Sequence, residues 1–148
     1  MKKLTTVFAV LAIMAGTSAF ANSGDKVSKA VQTSFQKGFS GAINVTWEVT
    51  DDFYFASFDL NGKKVDAAYN ENGELLGYSK KLQLSEIPLN VLQSLKKDFA
   101  DYTIGNSVTE INYEGQTFYY AAAVGATKIL KLKCFSDGEI FIESKVKK

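Results

Sequence analysis

The chain has 148 residues, with 17 Lys+Arg against 16 Asp+Glu, a single Cys, Pro and Trp, and no His. At 46% hydrophobic and 22% charged it has the composition of an ordinary globular protein, long enough for one domain or for two small halves. Near-zero net charge argues against a nucleic-acid binder, which needs a basic surface to displace counterions. The missing histidine excludes Ser-His-Asp and Cys-His catalysis and the usual zinc ligand sets.

The first segment reads as an address. Lys2 and Lys3 form a basic start, and Leu4 to Ala15 is an apolar run interrupted by Thr5 and Thr6. Thr17-Ser18-Ala19-Phe20-Ala21 then places small residues at the two positions a signal peptidase reads. Residues 1–21 are therefore expected to be a secretory signal peptide cleaved after Ala21. An apolar run of about 12 residues is too short for a membrane span, which needs ~20. The expected product is a periplasmic or secreted chain starting at Asn22, with no membrane span. One cysteine cannot form an internal disulfide, and Cys134 lies in an alternating strand-like run. It is expected to be a small buried hydrophobe.

Next comes a helix. Val27, Ala30, Val31, Phe35 and Phe39 recur at spacings of three and four, which puts one apolar stripe on one face. Asp25 or Ser28 can cap its start, and Ser40-Gly41 can end it. Four strand-like runs follow. Ile43, Val45, Trp47 and Val49 alternate with polar residues, which predicts that Trp47 shares an inner face with the other three. Asp51-Asp52 turns into Phe53 to Leu60, Asn61-Gly62 into Lys63 to Tyr69, and Asn72-Gly73 into Glu74 to Leu84. Asn-Gly between alternating runs is a strong hairpin signal, because type I′ turns need positive φ twice.

The second half repeats the order. Phe53-Tyr54-Phe55-Ala56 recurs as Phe118-Tyr119-Tyr120-Ala121, and Asn72-Gly73-Glu74-Leu75 recurs at the same offset as Asp137-Gly138-Glu139-Ile140. Val91, Leu92, Leu95 and Phe99 form a second helical stripe behind Ser85-Glu86-Ile87-Pro88. Turns are expected at Glu114-Gly115, Gly125-Ala126 and Asp137-Gly138. The reading is a single domain over 22–148 made of two repeats, about 22–84 and 85–148. Each is one helix plus a four-stranded antiparallel meander, an α+β fold with the helices on one sheet face.

Period two then sorts the side chains. Tyr54, Ala56, Phe58, Val65, Ala67 and Tyr69 form the inner face, and Tyr119, Ala121, Ala123, Leu130, Leu132 and Cys134 match them in the second half. The helix-free face carries Phe53, Phe55, Phe118, Tyr120, Ile129 and Phe135 among Lys64, Asp66, Lys131 and Lys133. An open aromatic surface of that kind marks an interface. Phe53, Phe55, Phe118, Tyr120 and Phe135 are the expected partner-binding residues.

Trp47, the Tyr54-x-Ala56-x-Phe58 strand, Asn61-Gly62-Lys63, the Asn70-x-Asn72-Gly73-Glu74-Leu75 turn and Ile87-Pro88-x-x-Val91 before Phe99-x-x-Tyr102 give the chain a likeness. It resembles the PepSY-like, β-lactamase-inhibitor-like family of exported bacterial proteins. That resemblance implies a tandem helix-plus-four-strand fold like that of the β-lactamase inhibitor protein, whose concave sheet grips an enzyme. The second half departs from the pattern, with Ser107-Val108 where a counterpart of Trp47 belongs.

Residues that could carry chemistry are few. Asp51-Asp52 sits between strands, where Asp is a normal turn residue. Asn70 to Glu74 lacks the ligand alternation of a calcium loop and reads as a hairpin turn. Phosphate loops, CxxC pairs and GxSxG elbows are missing. The expectation is a non-enzymatic exported binding module with no cofactor, no metal and no catalytic residue. It would inhibit a periplasmic hydrolase through the helix-free face. The alternative is a self-associating or envelope-associated protein whose aromatic face closes a dimer.

Overall fold

The computed structural model describes residues 26–148. The expected signal peptide and its cleavage point after Ala21 lie outside the described residues. The chain divides between Lys80 and Lys81 into two compact units.

The first unit opens with helix α1 (Lys29–Gly38). Ser28 is its N-cap, and its hydroxyl accepts a hydrogen bond from the Val31 amide at 3.3 Å. That satisfies one of the amides a helix start leaves without an intrahelical acceptor. Strands β1 (Ile43–Val49), β2 (Phe53–Leu60), β3 (Lys63–Asn70) and β4 (Leu75–Gln83, crossing into the second unit) follow in an antiparallel meander. Asn61 (φ 51°) and Gly62 (φ 75°) make the β2–β3 turn, the paired positive φ of type I′.

The predicted inner face is the face α1 covers. Val31 and Phe35 pack with Trp47, Ala56, Phe58, Val65, Ala67 and Tyr69 in one buried cluster. Trp47 stands edge-on to Phe35 with centroids 5.2 Å apart, and Phe58 does so at 5.0 Å. One expectation fails. Val45 and Val49 pack on this cluster, but Ile43 is 62% exposed. The β1–β2 register slips between Ile43 and Thr46, and Asn44 takes φ 55° while its amide donates to Asp59 at 2.8 Å. The irregularity turns Ile43 out of phase with Trp47.

The second unit has a 3-10 turn at Leu84–Glu86, helix α2 (Leu89–Asp98), and strands β5 (Thr103–Ile104), β6 (Ser107–Tyr113), β7 (Gln116–Val124), β8 (Lys128–Phe135) and β9 (Ile140–Lys147). The meander β6-β7-β8-β9 is antiparallel, and β5 also pairs with β7. The sequence reading allowed four strands here and missed β5, whose two residues carry no periodicity of their own. Val91, Leu95, Val108, Ala121, Ala123, Leu130, Leu132 and Cys134 form the buried cluster beneath α2, with Tyr119 beside them. Cys134 is wholly buried. Each unit is thus a mostly antiparallel sheet under one α-helix.

Two glycines fasten turn to helix. Gly73 (φ 80°) lies in the β3–β4 hairpin, and a Cβ there would meet the carbonyl carbon and oxygen of Ala30 at 2.8 Å. Gly138 (φ 96°) in the β8–β9 hairpin would meet Ser94 Oγ at 3.0 Å. Asn70 Oδ1 accepts the amides of Asn72 and Glu74, both at 3.0 Å, so the 70–74 segment is the hairpin turn its sequence suggests.

Candidate functional site

The helix-free faces hold the five singled-out aromatics as two groups, one in each unit. In the first unit Phe53 and Phe55 neighbour each other along β2 at 6.3 Å. Phe53 is half-buried and Phe55 is buried. Beyond them the face turns polar. Ser57 donates to Asp66 at 2.6 Å and Ser79 donates to its other oxygen at 3.4 Å, a row across β2, β3 and β4.

In the second unit the face is aromatic and cationic together. Phe118 meets Tyr120 edge-on at 5.8 Å and Phe135, its cross-strand partner on β8, at 6.3 Å. Phe135 continues to Phe141 on β9 at 5.8 Å. The lysines of β8 lie over these rings. The Lys133 ammonium is 4.2 Å from the Phe118 centroid and 5.1 Å from that of Phe135, and Lys131 is 4.2 Å from Tyr120. An ammonium over a ring face is attracted by the ring quadrupole. Lys131 also pairs with Glu143 at 2.8 Å, and the Tyr120 hydroxyl donates to the same carboxylate at 2.6 Å.

The electrostatics follow from that geometry. Burial, and then the neighbouring Glu143 carboxylate, push the Tyr120 hydroxyl far above its ordinary range, so it stays a donor. Burial works to raise Glu143, but hydrogen bonds from Lys131 and Tyr120 outweigh it and hold the carboxyl below its ordinary value. Tyr120, Lys131 and Glu143 thus form one hydrogen-bonded network.

This placement corrects the picture of an open aromatic surface. Phe55, Phe118 and Tyr120 are buried, and Phe53 and Phe135 are half-buried. The rings of the second unit stack on one another beneath lysine stems, which cover apolar surface while keeping their charge outward. This face has further members beyond the set read from the sequence. Ile111 lies opposite Phe118 and is buried. Phe141 lies opposite Lys133, and Glu143, two residues on, shares its side by plain alternation.

Elsewhere, Gln32, Phe35, Gln36, Val45 and Trp47 line a hollow of about 250 Å³ between α1 and β1, below the ~300–1,000 Å³ of typical small-molecule sites. Among the described residues no three His, Cys, Asp or Glu gather as metal ligands, and no helix is long and apolar enough to cross a membrane.

No family model and no curated protein matches the chain. Solved structures do. A BLIP-like protein from Bacteroides fragilis NCTC 9343 superposes with a TM-score of 0.70 at 20% identity, over 82% of this chain and 87% of that one. A DUF2874 family protein from Bacteroides ovatus ATCC 8483 gives 0.69 at 20% identity, over 84% and 89%. A protein proposed to be periplasmic, from Bacteroides eggerthii DSM 20697, gives 0.68 at 18% identity, over 82% and 88%. At such identity the likeness is one of fold: the chain has the fold of BLIP-like and DUF2874 proteins.

Proposed function

We propose that the chain is an exported, non-enzymatic binding module that inhibits a periplasmic hydrolase, with the helix-free sheet face as its contact surface. The observation that carries this reading is the layered face of the second unit. Buried Phe118 and Tyr120 form a platform, half-buried Phe135 and exposed Phe141 form its rim, and the Lys131–Glu143 pair adds charge above it. In the first unit Phe53 is the rim residue over buried Phe55. A few rigid aromatic anchors dominate most protein interfaces. Export rests on residues 1–21 as a signal peptide, and the BLIP-like and periplasmic descriptions of the structural neighbours agree with it. On the resemblance of its sequence motifs we read the chain as one of the PepSY-like, β-lactamase-inhibitor-like proteins, and the two units as copies of one ancestral repeat.

The test uses rim residues, whose loss spares the fold. The Phe53→Ser, Phe135→Ser double variant is assayed against a panel of periplasmic hydrolases, β-lactamases included, alongside its melting point. Inhibition by the parent chain that weakens at least tenfold in the variant, at an unchanged melting point, supports the reading. A parent chain that inhibits none of them overturns it. A stable parent dimer that the same variant dissociates would give this face to self-association.

A further inference from the structure

We propose that strand β9 is a docking edge for an extended, acidic segment of a partner protein. β9 shares Phe141 and Glu143 with the aromatic platform, but the proposal concerns its open backbone edge and its helix-side lysines and does not depend on the inhibitor reading.

β9 is the last strand of the second unit and, among the described residues, pairs only with β8. Every residue from Phe141 to Lys147 is exposed, including Phe141 at 50%, Ile142 at 44% and Val146 at 60%. An edge strand of this length presents a row of backbone donors and acceptors, which an added strand can satisfy.

The register decides what that strand must carry. Ile140, Ile142, Lys145 and Lys147 oppose Cys134, Leu132, Leu130 and Lys128, so all four lie on the side covered by α2. Phe141 and Val146, opposite Lys133 and Ile129, lie on the other side. The bulge falls between these halves, and Glu143, the strand's one acidic residue, keeps the side of Phe141 and meets Lys131 and Tyr120. The helix side of β9 is therefore apolar in its first half and cationic in its second.

Lys147 stands directly opposite Lys128, and like charges in that position repel. The Lys128 ammonium has the Tyr102 ring at 5.9 Å, and among the described residues neither Lys145 nor Lys147 has an acidic partner. Carboxylates on an incoming strand would supply what this corner lacks. A second copy of β9 added antiparallel would set these lysines against its Ile140 and Ile142 and leave their charge unmet.

An antiparallel strand with one residue facing Glu143 and Ser144 together matches β9 as Glu-Val-Glu-Thr-Val-Val-Val. Its two Glu face Lys147 and Lys145, its last three Val face Ile142, Phe141 and Ile140, and the other Val faces Val146. The experiment titrates this fluorescein-labelled peptide, and a second with Lys for Glu, into the full chain. Three proteins are compared: the parent, the Lys145→Glu, Lys147→Glu double variant, and a charge-matched Lys29→Glu, Lys37→Glu control at exposed positions of α1. The acidic peptide is expected to bind the parent at least tenfold tighter than the basic one. The β9 double variant should reverse that order, and the α1 control should leave it unchanged. Equal binding of both peptides overturns the proposal, as does no binding at millimolar peptide. A dimer of the parent chain that shuts the peptide out overturns it too, by giving the edge to a second copy.

Discussion

The two units divide their aromatic residues differently between the two faces of similar sheets. In the first, most rings fill the space under the helix: Phe35, Phe39, Trp47, Phe58, Tyr69 and Tyr78 touch in a continuous series. In the second the buried core there is aliphatic apart from Tyr119, with Phe99 and Tyr102 packed at its margin, and four rings gather on the helix-free face under lysines. One backbone plan thus tolerates either filling, provided total volume and patterning are kept. What the plan does not fix is which face has aromatic surface to spare for a partner, and in the second unit a cationic layer lies over it.

Substitutions at matched positions sharpen this contrast, beginning with the largest effect. Trp47→Ala should cost on the order of 3–5 kcal/mol in denaturant melts, since a large buried ring leaves a cavity edged by Phe35 and Tyr69. Val108, the buried helix-side residue of β6, offers far less to lose. Val108→Ala should cost roughly 1.5–2.5 kcal/mol. Equal losses would mean that the two cores are not packed differently after all.

The glycine clamps give a second pair. Gly73→Ala must place a methyl group 2.8 Å from helix backbone that cannot yield, for an expected loss of roughly 2–3 kcal/mol. Gly138→Ala meets a serine hydroxyl that can rotate away, leaving mainly the backbone strain of about 1–2 kcal/mol. Thermal melts of the two variants should rank in that order.

The smallest effect belongs to Cys134. Burial raises its thiol from an ordinary 9.0 to about 11. The folded chain keeps that proton where the unfolded chain releases it. Its contribution is intact below pH 9 and is lost as the pH climbs toward 11. Cys134→Ala should flatten the stability profile over this interval. Thiol reagents should label the native parent chain only as fast as it unfolds.

Much of this architecture was legible in the sequence, because period two and turn chemistry are local. The helix-side residues fall where alternation puts them, and Asn61-Gly62 announces its hairpin. Ile43 shows where alternation stops: a left-handed Asn44 and a slipped register override it, and neither is visible in a run of alternating residues. The aromatic set on the helix-free face was identifiable in the same way. Its burial was not, since that depends on lysines reaching across strands and on rings stacking through register. Lys145 and Lys147 are a further case. One extra residue in the β8–β9 ladder moves them to the helix side, where alternation from Phe141 does not put them.

A practical consequence attaches to the chain's one tryptophan and one cysteine. Trp47 is buried in the first unit and Cys134 in the second. Intrinsic fluorescence therefore follows the melting of one unit, while accessibility to a chromogenic thiol reagent follows the other. Recorded on the same sample along a urea gradient, the two signals tell whether the units melt together or in sequence, without a substitution or an attached dye.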